Sequence, residues 1–257
     1  MIDARAIIDP AAKIDIGVSV GPFSIIGPDV EIGKGSWIGP HVVINGPTKI
    51  GTNNRIYQFC SLGEISQDKK AREDEKTILE IGNNNTIREY CTMHRGTKLG
   101  GGVTRLGDDN WIMAYAHLAH DCLVGNDNVL ANAASLAGHV VVGDQVILGG
   151  FAKVHQFCQI GDHSFAGLGS TILKDIPPYV MVSGNPAKPY GINVEGLKRR
   201  GFSGDSIKAV RKAYKIIYKQ KRTLKNALEE LKSQLADANE VQVLIEFLEA
   251  STRSIVR

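Results

Sequence analysis

Hydrophobic side chains recur every six residues through the first two thirds of the chain. Ten aliphatic residues follow this period before its first break: Ile8, Ile14, Val20, Ile26, Ile32, Ile38, Ile44, Ile50, Ile56 and Leu62. The period then returns at Ile81, Ile87, Met93, Leu106, Ile112, Leu118, Val124, Leu130, Leu136, Val142, Leu148, Val154 and Ile160, and weakens at Ala166 before Ile172. It fits neither the turn of a helix nor the alternation of a long strand. It predicts short strands separated by turns, as in a parallel β-helix.

The side chain four residues after each aliphatic anchor is small or slender. This slot holds Ser24, Ser36, Thr48, Asn54, Ala116, Asn128, Ala134, Ala152 and Ser164, together with all four cysteines, Cys60, Cys91, Cys122 and Cys158. A metal site needs clustered cysteines, and a disulfide framework is typical of small secreted chains, so neither fits this even spread. We therefore predict free, buried cysteines that fill tight positions.

The repeat resembles that of the hexapeptide-repeat proteins. This resemblance implies a left-handed parallel β-helix with three hexads per coil, and usually a trimer. The handedness rests on the resemblance, because the general rule for strand crossovers predicts the opposite. Residues about eighteen apart are then vertical neighbours on coils that stack at about 4.8 Å, the ordinary strand spacing.

Two segments interrupt the period, Gly63 to Glu80 and the shorter His94 to Arg105. The first is highly charged and contains no hexad anchor, so we expect it to leave the β-helix as an external loop. Loops on rigid scaffolds often carry function, although a tolerated insertion would give the same pattern.

The repeat is predicted to end near Lys174. The pair Pro177-Pro178 and the segment Gly184-Asn185-Pro186 then mark a boundary. We predict a β-helix domain over residues 1–186 and a helical domain over residues 187–257.

The C-terminal part is predicted to be helical and basic. Ser203 and Thr223 are expected to cap two amphipathic helices, and a third is expected from about Glu240 to Ser251. The stretch from Lys188 to Lys232 holds thirteen lysines and arginines against four acids. This excess is either a solvated face or a landing surface for an acidic partner. No nucleic-acid motif accompanies it, so nucleic acid is not the expected partner.

Composition and terminus fit a cytoplasmic protein. The 257 residues are 43% hydrophobic and 22% charged, with a formal net charge of +3. The start MIDARAIIDP lacks a signal-peptide pattern, and no apolar run is long enough for an integral membrane segment.

The histidines are the main candidates for chemistry. His120 and His139 are nineteen residues apart, which predicts adjacent coils near one edge, with His117 and His155 in the same region. In the sequence Ala119-His120-Asp121, the carboxylate could orient an imidazole that titrates near neutral pH and acts as a general base. The chain has no GxSxG elbow or reactive-cysteine context, which favours direct transfer over a covalent acyl-enzyme.

Two other readings stay open at this point. In trimeric left-handed β-helices of the gamma-class carbonic anhydrases, three histidines bind zinc at a subunit interface, and His117, His120 and His139 could do so here. The large basic tail argues against that chemistry. A non-catalytic scaffold that binds an acidic protein is the other alternative.

Specific motifs extend the resemblance along nearly the full chain. They read IGPHVVINGPTKIG, RIYQF, SQDKK, IREY with MHRGT, AHLAHDCLVGN, LAGHV, VHQFCQIG, IPPYV, GNPA, NVEGLKRRGFS and AYKIIY. With them the chain resembles the UDP-N-acetylglucosamine O-acyltransferase family of lipid A biosynthesis. The resemblance implies transfer of a (R)-3-hydroxyacyl chain from acyl carrier protein to the 3-hydroxyl of UDP-N-acetylglucosamine, the first step of that pathway, without a metal or a diffusible cofactor. The residues leave open whether the acceptor is a hydroxyl or a 3-amino group.

The same resemblance assigns roles at matching positions. His120 would be the general base, assisted by Asp121, and the backbone N–H of Gly138 would stabilise the oxyanion. Asp68 would contact the 3-hydroxyl of the acyl chain, and Lys70 the substrate. The acyl and sugar-nucleotide pocket would be lined by His117, His139, His155 and Gln156, and the sugar nucleotide would lie near Asn193, Glu195, Arg199 and Arg200.

Leu168 is the expected acyl-length ruler. In the family, a glycine at the corresponding place accompanies longer chains, whereas a bulky side chain accompanies shorter ones. The resemblance therefore implies a preference for chains of about ten to twelve carbons, and each methylene that the leucine leaves unburied would forfeit about 0.8 kcal/mol. Ordinary packing of a leucine is the alternative.

Overall fold

A computed structural model describes residues 1–72, 74–235 and 237–257. Glu73, which belongs to the first predicted loop, and Ala236 lie outside the described residues. As predicted, each hexad anchor lies in a short strand, and three successive strands complete one coil.

The strands form three sheets that run the length of the β-helix. Sheet 1 contains β1 Ile7–Ile8, β4 Ile25–Ile26, β7 Val43–Ile44, β10 Ser61–Glu64, β13 Thr92–His94, β16 His117–Leu118, β19 Ser135–Leu136, β22 Lys153–Val154 and β25 Thr171–Ile172. Sheet 2 contains β2 Lys13–Ile14, β5 Val30–Ile32, β8 Thr48–Ile50, β11 Ile78–Ile81, β14 Val103–Leu106, β17 Leu123–Val124, β20 Val141–Val142 and β23 Gln159–Ile160. Sheet 3 contains β3 Ser19–Val20, β6 Trp37–Ile38, β9 Arg55–Ile56, β12 Thr86–Ile87, β15 Trp111–Ile112, β18 Val129–Leu130, β21 Ile147–Leu148, β24 Phe165–Ala166, β26 Val180–Ser183 and β27 Lys188–Ile192.

Parallel pairing stacks the coils in register. His117 pairs with Ser135, and Ser135 with Lys153, so vertical neighbours are eighteen residues apart, as predicted. From Val20 to Ile172, every hexad anchor is at most 3% exposed, and these side chains form the core. The four cysteines are free and buried among them, as expected.

The chain turns between sheets at three corners, which we call the 1–2, 2–3 and 3–1 corners after the sheets that they join. At the 1–2 corner, Asp121, His139 and Phe157 occupy one stacked position with φ values of 59°, 62° and 63°. Left-handed backbone costs a residue with a Cβ roughly 1–2 kcal/mol. Stacking offsets part of that cost, since the His139 and Phe157 rings lie 4.4 Å apart and nearly parallel.

Both interruptions of the repeat lie at the 1–2 corner, but they are shorter than predicted. In the first, the strands extend into both ends of the predicted interruption. Strand β10 reaches Glu64, and β11 pairs with β8 from Leu79, which is fully buried. The external segment is therefore 65–77 rather than Gly63 to Glu80. The second leaves the strands only over 95–102, where Lys98–Gly100 forms one 3₁₀ turn.

The hexad spacing stops after Ile172, close to the predicted end of the repeat at Lys174, but sheet 3 continues beyond it. Strand β26 pairs in parallel with β24 after the two prolines, and β27 then pairs antiparallel with β26. The sheet continues to Ile192 because this last pairing is a hairpin, which needs no hexad spacing. The division at residue 186 stays a prediction.

Among residues 193–235 and 237–257, the structure has four helices: α1 Val194–Arg199, α2 Gly204–Tyr218, α3 Leu224–Leu235 and α4 Asn239–Ala250. The predicted caps are confirmed, since Ser203 Oγ accepts from the Ser206 N–H at 3.0 Å and Thr223 Oγ1 from the Asn226 N–H at 3.2 Å. Helix α1 was not predicted. In the described part of the chain, none of the helices has the length and apolar content needed to cross a bilayer.

Candidate active site

A cleft of about 580 Å³ opens at the 1–2 corner. It is lined by Gln67, Asp68, Lys69, Lys70, His94, His117, Ala119, His120, Ala137, Gly138 and Gln156. The turns after β16, β19 and β22 stack on one another, and the segment 65–77 projects beside them. The cleft thereby brings six of the predicted residues together: Asp68, Lys70, His117, His120, Gly138 and Gln156.

A larger hollow of about 720 Å³ lies on the outer face of sheet 2. Charges alternate along it, and they neutralise one another in pairs such as Lys13 with Glu31 at 2.7 Å and Arg105 with Glu80 at 2.7 Å. No histidine is among its lining residues. We therefore place the chemistry in the smaller cleft, where the titratable groups converge.

His120 and Asp121 form a buried pair at the floor of the cleft. His120 is 6% exposed, and its Nδ1 lies 2.8 Å from Oδ2 of Asp121. A carboxylate only accepts hydrogen bonds, so the network assigns the imidazole proton to Nδ1. Nε2 is then left as a proton acceptor, which is the form that a general base requires.

Gly138 lies directly against this imidazole. A Cβ at Gly138 would stand 2.5 Å from Cε1 and 2.6 Å from Nε2 of His120. Among the described residues, no acceptor is hydrogen-bonded to the Gly138 backbone N–H. Prolines occupy the equivalent slot on earlier coils, at Pro10 and Pro28, so the fold needs no hydrogen bond from this position. The Gly138 amide is therefore free to serve a ligand.

The other histidines of the cleft are held neutral by burial. Burial, together with the neighbouring His94 and His120, lowers the pKa of His117 to about 4. Burial likewise lowers the pKa of His94. At His139 burial again lowers the pKa, against an opposing contribution from Asp121. Near neutral pH these groups therefore act as hydrogen-bonding partners and not as cations.

His94 was not among the predicted site residues, although it lines the cleft and is buried. Its ring meets that of His117 edge to face, with centroids 5.1 Å apart. Its position at the start of the second interruption was the one sequence signal for it. His155, by contrast, was predicted in the pocket but is exposed, with Nδ1 3.1 Å from the Gln156 carbonyl oxygen, and it does not line the cleft.

The predicted sugar-nucleotide residues are not brought to this cleft within one chain: Asn193, Glu195, Arg199 and Arg200. Asn193 caps α1, and its Nδ2 donates to the carbonyl of His163, which lies at the 2–3 corner. Arg200 lies near the same corner. Burial lowers the pKa of its guanidinium, and the carboxylate of Asp127, which is at that corner, partly offsets this effect. Glu195 forms an exposed ion pair with Lys198 at 3.0 Å.

Leu168 lies at yet another edge. It follows β24 at the 3–1 corner and is 76% exposed. Its Cδ1 lies beside Gly150, 3.2 Å from where a Cβ of that residue would stand. The His120–Asp121 pair, the caps of α1 at Asn193 and Arg200, and Leu168 therefore lie at three different corners of one chain.

A metal ion is the chemical alternative at the buried pair. Ligand atoms of His120, Asp121 and His139 all lie within 4.8 Å of one another. The zinc alternative invoked His117 as the third ligand, but its Nδ1 is instead 2.7 Å from Thr92 Oγ1. Asp121 Oδ2 is already an acceptor for His120 Nδ1, so a metal would have to displace that hydrogen bond.

Comparisons with known proteins agree with this architecture. A family model described as UDP N-acetylglucosamine O-acyltransferase, domain 2, matches residues 175–256, and one described as bacterial transferase hexapeptide matches residues 29–64. Proteins named acyl-[acyl-carrier-protein]--UDP-N-acetylglucosamine O-acyltransferase from Paracidovorax citrulli and Halorhodospira halophila are 57% and 55% identical to the chain, covering 100% of it and 99% of each relative.

Solved structures give the same result. The UDP-N-acetylglucosamine O-acyltransferase of Moraxella catarrhalis is 47% identical with a TM-score of 0.97, covering 100% of this chain and 99% of that one. The Francisella novicida acyltransferase is 39% identical with a TM-score of 0.98, covering 100% and 94%. The predicted fold class, a left-handed parallel β-helix of hexapeptide repeats followed by a C-terminal α-helical domain, is confirmed. The chain belongs to the family of acyl-[acyl-carrier-protein]--UDP-N-acetylglucosamine O-acyltransferases.

Proposed function

We propose that this enzyme transfers a (R)-3-hydroxyacyl chain from acyl carrier protein to the 3-hydroxyl of UDP-N-acetylglucosamine by direct attack, as the first step of lipid A biosynthesis. The observation that carries the proposal is the buried His120–Asp121 hydrogen bond at the floor of the cleft. The names of full-length relatives more than half identical to the chain support the two substrates.

The reaction needs one proton to move twice. His120 Nε2 accepts the proton of the sugar hydroxyl while its oxygen attacks the thioester carbonyl, and the Asp121 carboxylate stabilises the resulting imidazolium. The negative charge on the former carbonyl oxygen is stabilised by the Gly138 N–H. When the tetrahedral intermediate collapses, the C–S bond breaks and the imidazolium returns its proton to the departing thiolate of the carrier.

Burial of the cysteines supports direct transfer. Cys122 follows the catalytic pair in sequence, and burial raises the pKa of its thiol to about 12. Burial similarly raises the pKa of Cys158 to about 11. Since the thiolate is the reactive nucleophile, neither group is prepared to form an acyl-enzyme.

The segment 65–77 is proposed to recognise the acyl group. Asp68 and Lys70 line the cleft, and a short turn holds them, in which Asp68 Oδ1 accepts from the Lys70 backbone N–H at 3.0 Å. An acceptor at Asp68 suits the 3-hydroxyl of the acyl chain, and the ammonium of Lys70 suits an anionic part of the substrate.

Helix α2 is proposed as the docking surface for acyl carrier protein. Its cations Lys208, Arg211, Lys212, Lys215 and Lys219 are exposed and fall at spacings of three and four residues, which places them on one face. The opposite face is buried through residues such as Val210 and Ile217. An acidic protein would be steered towards such a stripe.

We propose a homotrimer because Asn193, Arg200 and Leu168 lie at other corners than the His120–Asp121 pair. In a trimer, the 2–3 or 3–1 corner of one copy can face the 1–2 corner of the next. Complementation tests this arrangement: trimers mixed from His120→Ala and Arg200→Ala chains should recover activity that neither variant has alone. Mixed trimers as inactive as the parents would place all these groups within one subunit.

Turnover of a carrier-protein thioester with UDP-N-acetylglucosamine tests the function. His120→Ala should lower turnover by about a hundred- to ten-thousand-fold while the protein stays folded. His41→Phe is a matched control, because this distant histidine stacks between Phe23 and Phe59 and a phenyl ring preserves the stack. Near-normal turnover by folded His120→Ala would remove the general base from the mechanism.

The same assay identifies the acceptor group. A parallel reaction with the 3-amino analogue of the sugar nucleotide decides between a hydroxyl and an amine acceptor.

A further inference from the structure

The second interruption of the repeat closes over the catalytic pair. Its residue Thr97 is buried, and it hydrogen-bonds both oxygens of Asp121. The Thr97 backbone N–H donates to Oδ1 at 2.8 Å, and the hydroxyl donates to Oδ2 at 2.6 Å. Oδ2 is the same oxygen that accepts the proton of His120 Nδ1.

The direction of the hydroxyl hydrogen bond follows from its partners. Thr97 Oγ1 accepts from the Gly100 N–H at 3.2 Å, which uses one of its lone pairs. Its other partner is the carboxylate of Asp121, which can only accept. The single hydroxyl proton therefore points at Oδ2, and the carboxylate cannot rotate without breaking two hydrogen bonds to Thr97.

The β-helix holds this segment rigidly in place. The Arg95 N–H donates to the Glu64 carbonyl at 3.1 Å, and the Ile78 N–H donates to the Gly102 carbonyl at 2.8 Å. Within the segment, the Gly102 N–H returns to the Thr97 carbonyl at 2.9 Å. The segment is thus tied at both ends to the strands of the preceding coil.

Gly100 lets the turn lie directly on the carboxylate. A Cβ at this position would stand 2.1 Å from Cγ and 2.1 Å from Oδ2 of Asp121. Such a distance is impossible, so any side chain here would displace the carboxylate that holds His120. The neighbouring Leu99 is 90% exposed and points away from this contact.

We propose that Thr97 is a positioning residue, which fixes the rotamer of Asp121 and through it the tautomer and orientation of His120. The inference rests on the proposed general-base function. It gives the second interruption a role, since both Thr97 hydrogen bonds to the Asp121 carboxylate come from this inserted turn. Outer partners that hold such groups in their orientation typically contribute about 10- to 100-fold to activity.

The test compares Thr97→Val, which keeps the shape but removes the hydroxyl, with Thr97→Ser, which keeps it. Leu99→Ser is the control in the same turn. Thr97→Val should lower kcat by about 10- to 100-fold and leave KM for both substrates unchanged, because Thr97 acts through Asp121 and not on a ligand. Thr97→Ser should restore most of the loss, and Leu99→Ser should behave as the unmutated enzyme.

Two measurements keep the outcomes distinct. Unmutated enzyme and His120→Ala are assayed first, so that a failed proposed function appears as turnover that does not depend on His120. Nitrogen chemical shifts of ¹⁵N-labelled histidine report the His120 tautomer without any turnover, and Thr97→Val should lose the uniform Nδ1–H form. A Thr97→Val enzyme with unchanged kcat and spectrum, or a loss that serine fails to rescue, would overturn the proposal. If valine prevents folding, Gly100→Ala should show the same kcat-selective loss, and normal turnover there would overturn it equally.

Discussion

Replacing Gly138 by alanine should disable the enzyme through one steric contact. The added methyl would stand 2.5 Å from Cε1 and 2.6 Å from Nε2 of His120. Carbon atoms in contact are ordinarily about 3.5–4.0 Å apart, so the imidazole would have to retreat by about 1 Å. The backbone itself tolerates alanine, because Gly138 is not among the glycines with a left-handed φ.

The imidazole cannot retreat freely. Its Nδ1 is held by Asp121 at 2.8 Å, and its ring lies edge to face on His139 with centroids 5.0 Å apart. Any movement away from Gly138 therefore lengthens the hydrogen bond that orients the base. A misplacement of about 1 Å in an active site costs on the order of a hundred-fold in rate, and we expect that loss in kcat/KM for Gly138→Ala.

The assay is steady-state turnover of the carrier-protein thioester, with a thermal melt by circular dichroism to verify folding. Gly204→Ala is the matched control, since a Cβ at Gly204 meets nothing within 4 Å. Alanine keeps the backbone N–H, so the experiment tests the position of the base and not the oxyanion contact. A folded Gly138→Ala enzyme with turnover close to normal would refute the reasoning.

Three further predictions concern stability, docking and chain length. Burial lowers the pKa of His117 from an ordinary value of 6.5 to about 4. Between these two pH values the unfolded state binds a proton that the folded state does not. The free energy of unfolding should therefore fall as the pH drops from 6.5 to 4. The slope is at most about 1.4 kcal/mol per pH unit for this group, reduced by solvent screening, and urea midpoints that do not change with pH would contradict it. Reversing Arg211, Lys212 and Lys215 to glutamate should weaken carrier-protein binding, and unmutated binding should decline with salt; salt-independent affinity would return α2 to an ordinary solvated face. Leu168→Gly should extend the accepted acyl length beyond about ten to twelve carbons, which competition among thioesters of graded length measures, and an unmutated preference for about fourteen would contradict it.

The hexad period predicted the β-helix because each anchor fills the core from one strand of a coil. The period does not predict strands that pair without this spacing. Leu79 falls within the predicted interruption, yet it pairs with Thr48 of β8 and is fully buried. The hairpin of β26 and β27 leaves the period altogether. Helix α1 is only six residues long, which is too short to establish an amphipathic pattern.

Within the site, the contacts that the sequence predicts are those between residues about one coil apart. His120 and His139 are nineteen residues apart, nearly one coil, and the pairing of β16 with β19 predicts their contact. Thr97 and Asp121 are twenty-four residues apart, because the inserted turn breaks the eighteen-residue register. Their contact depends on how that turn folds back, which no period encodes.

The regular hydrogen bonding of the β-helix also limits how its active site can work. Neighbouring coils are joined strand by strand on all three sheets, so the strands described here hold the corners at fixed distances from one another. A side chain at the 1–2 corner can gain a new neighbour in two ways, through an insertion at that corner or through another copy of the chain. The first route supplies Thr97 to Asp121 and the segment 65–77 to the cleft. Arg200 and Leu168 lie at other corners than His120, so only another copy of the chain can bring them to it. The proposed roles of these two residues therefore depend on the proposed trimer.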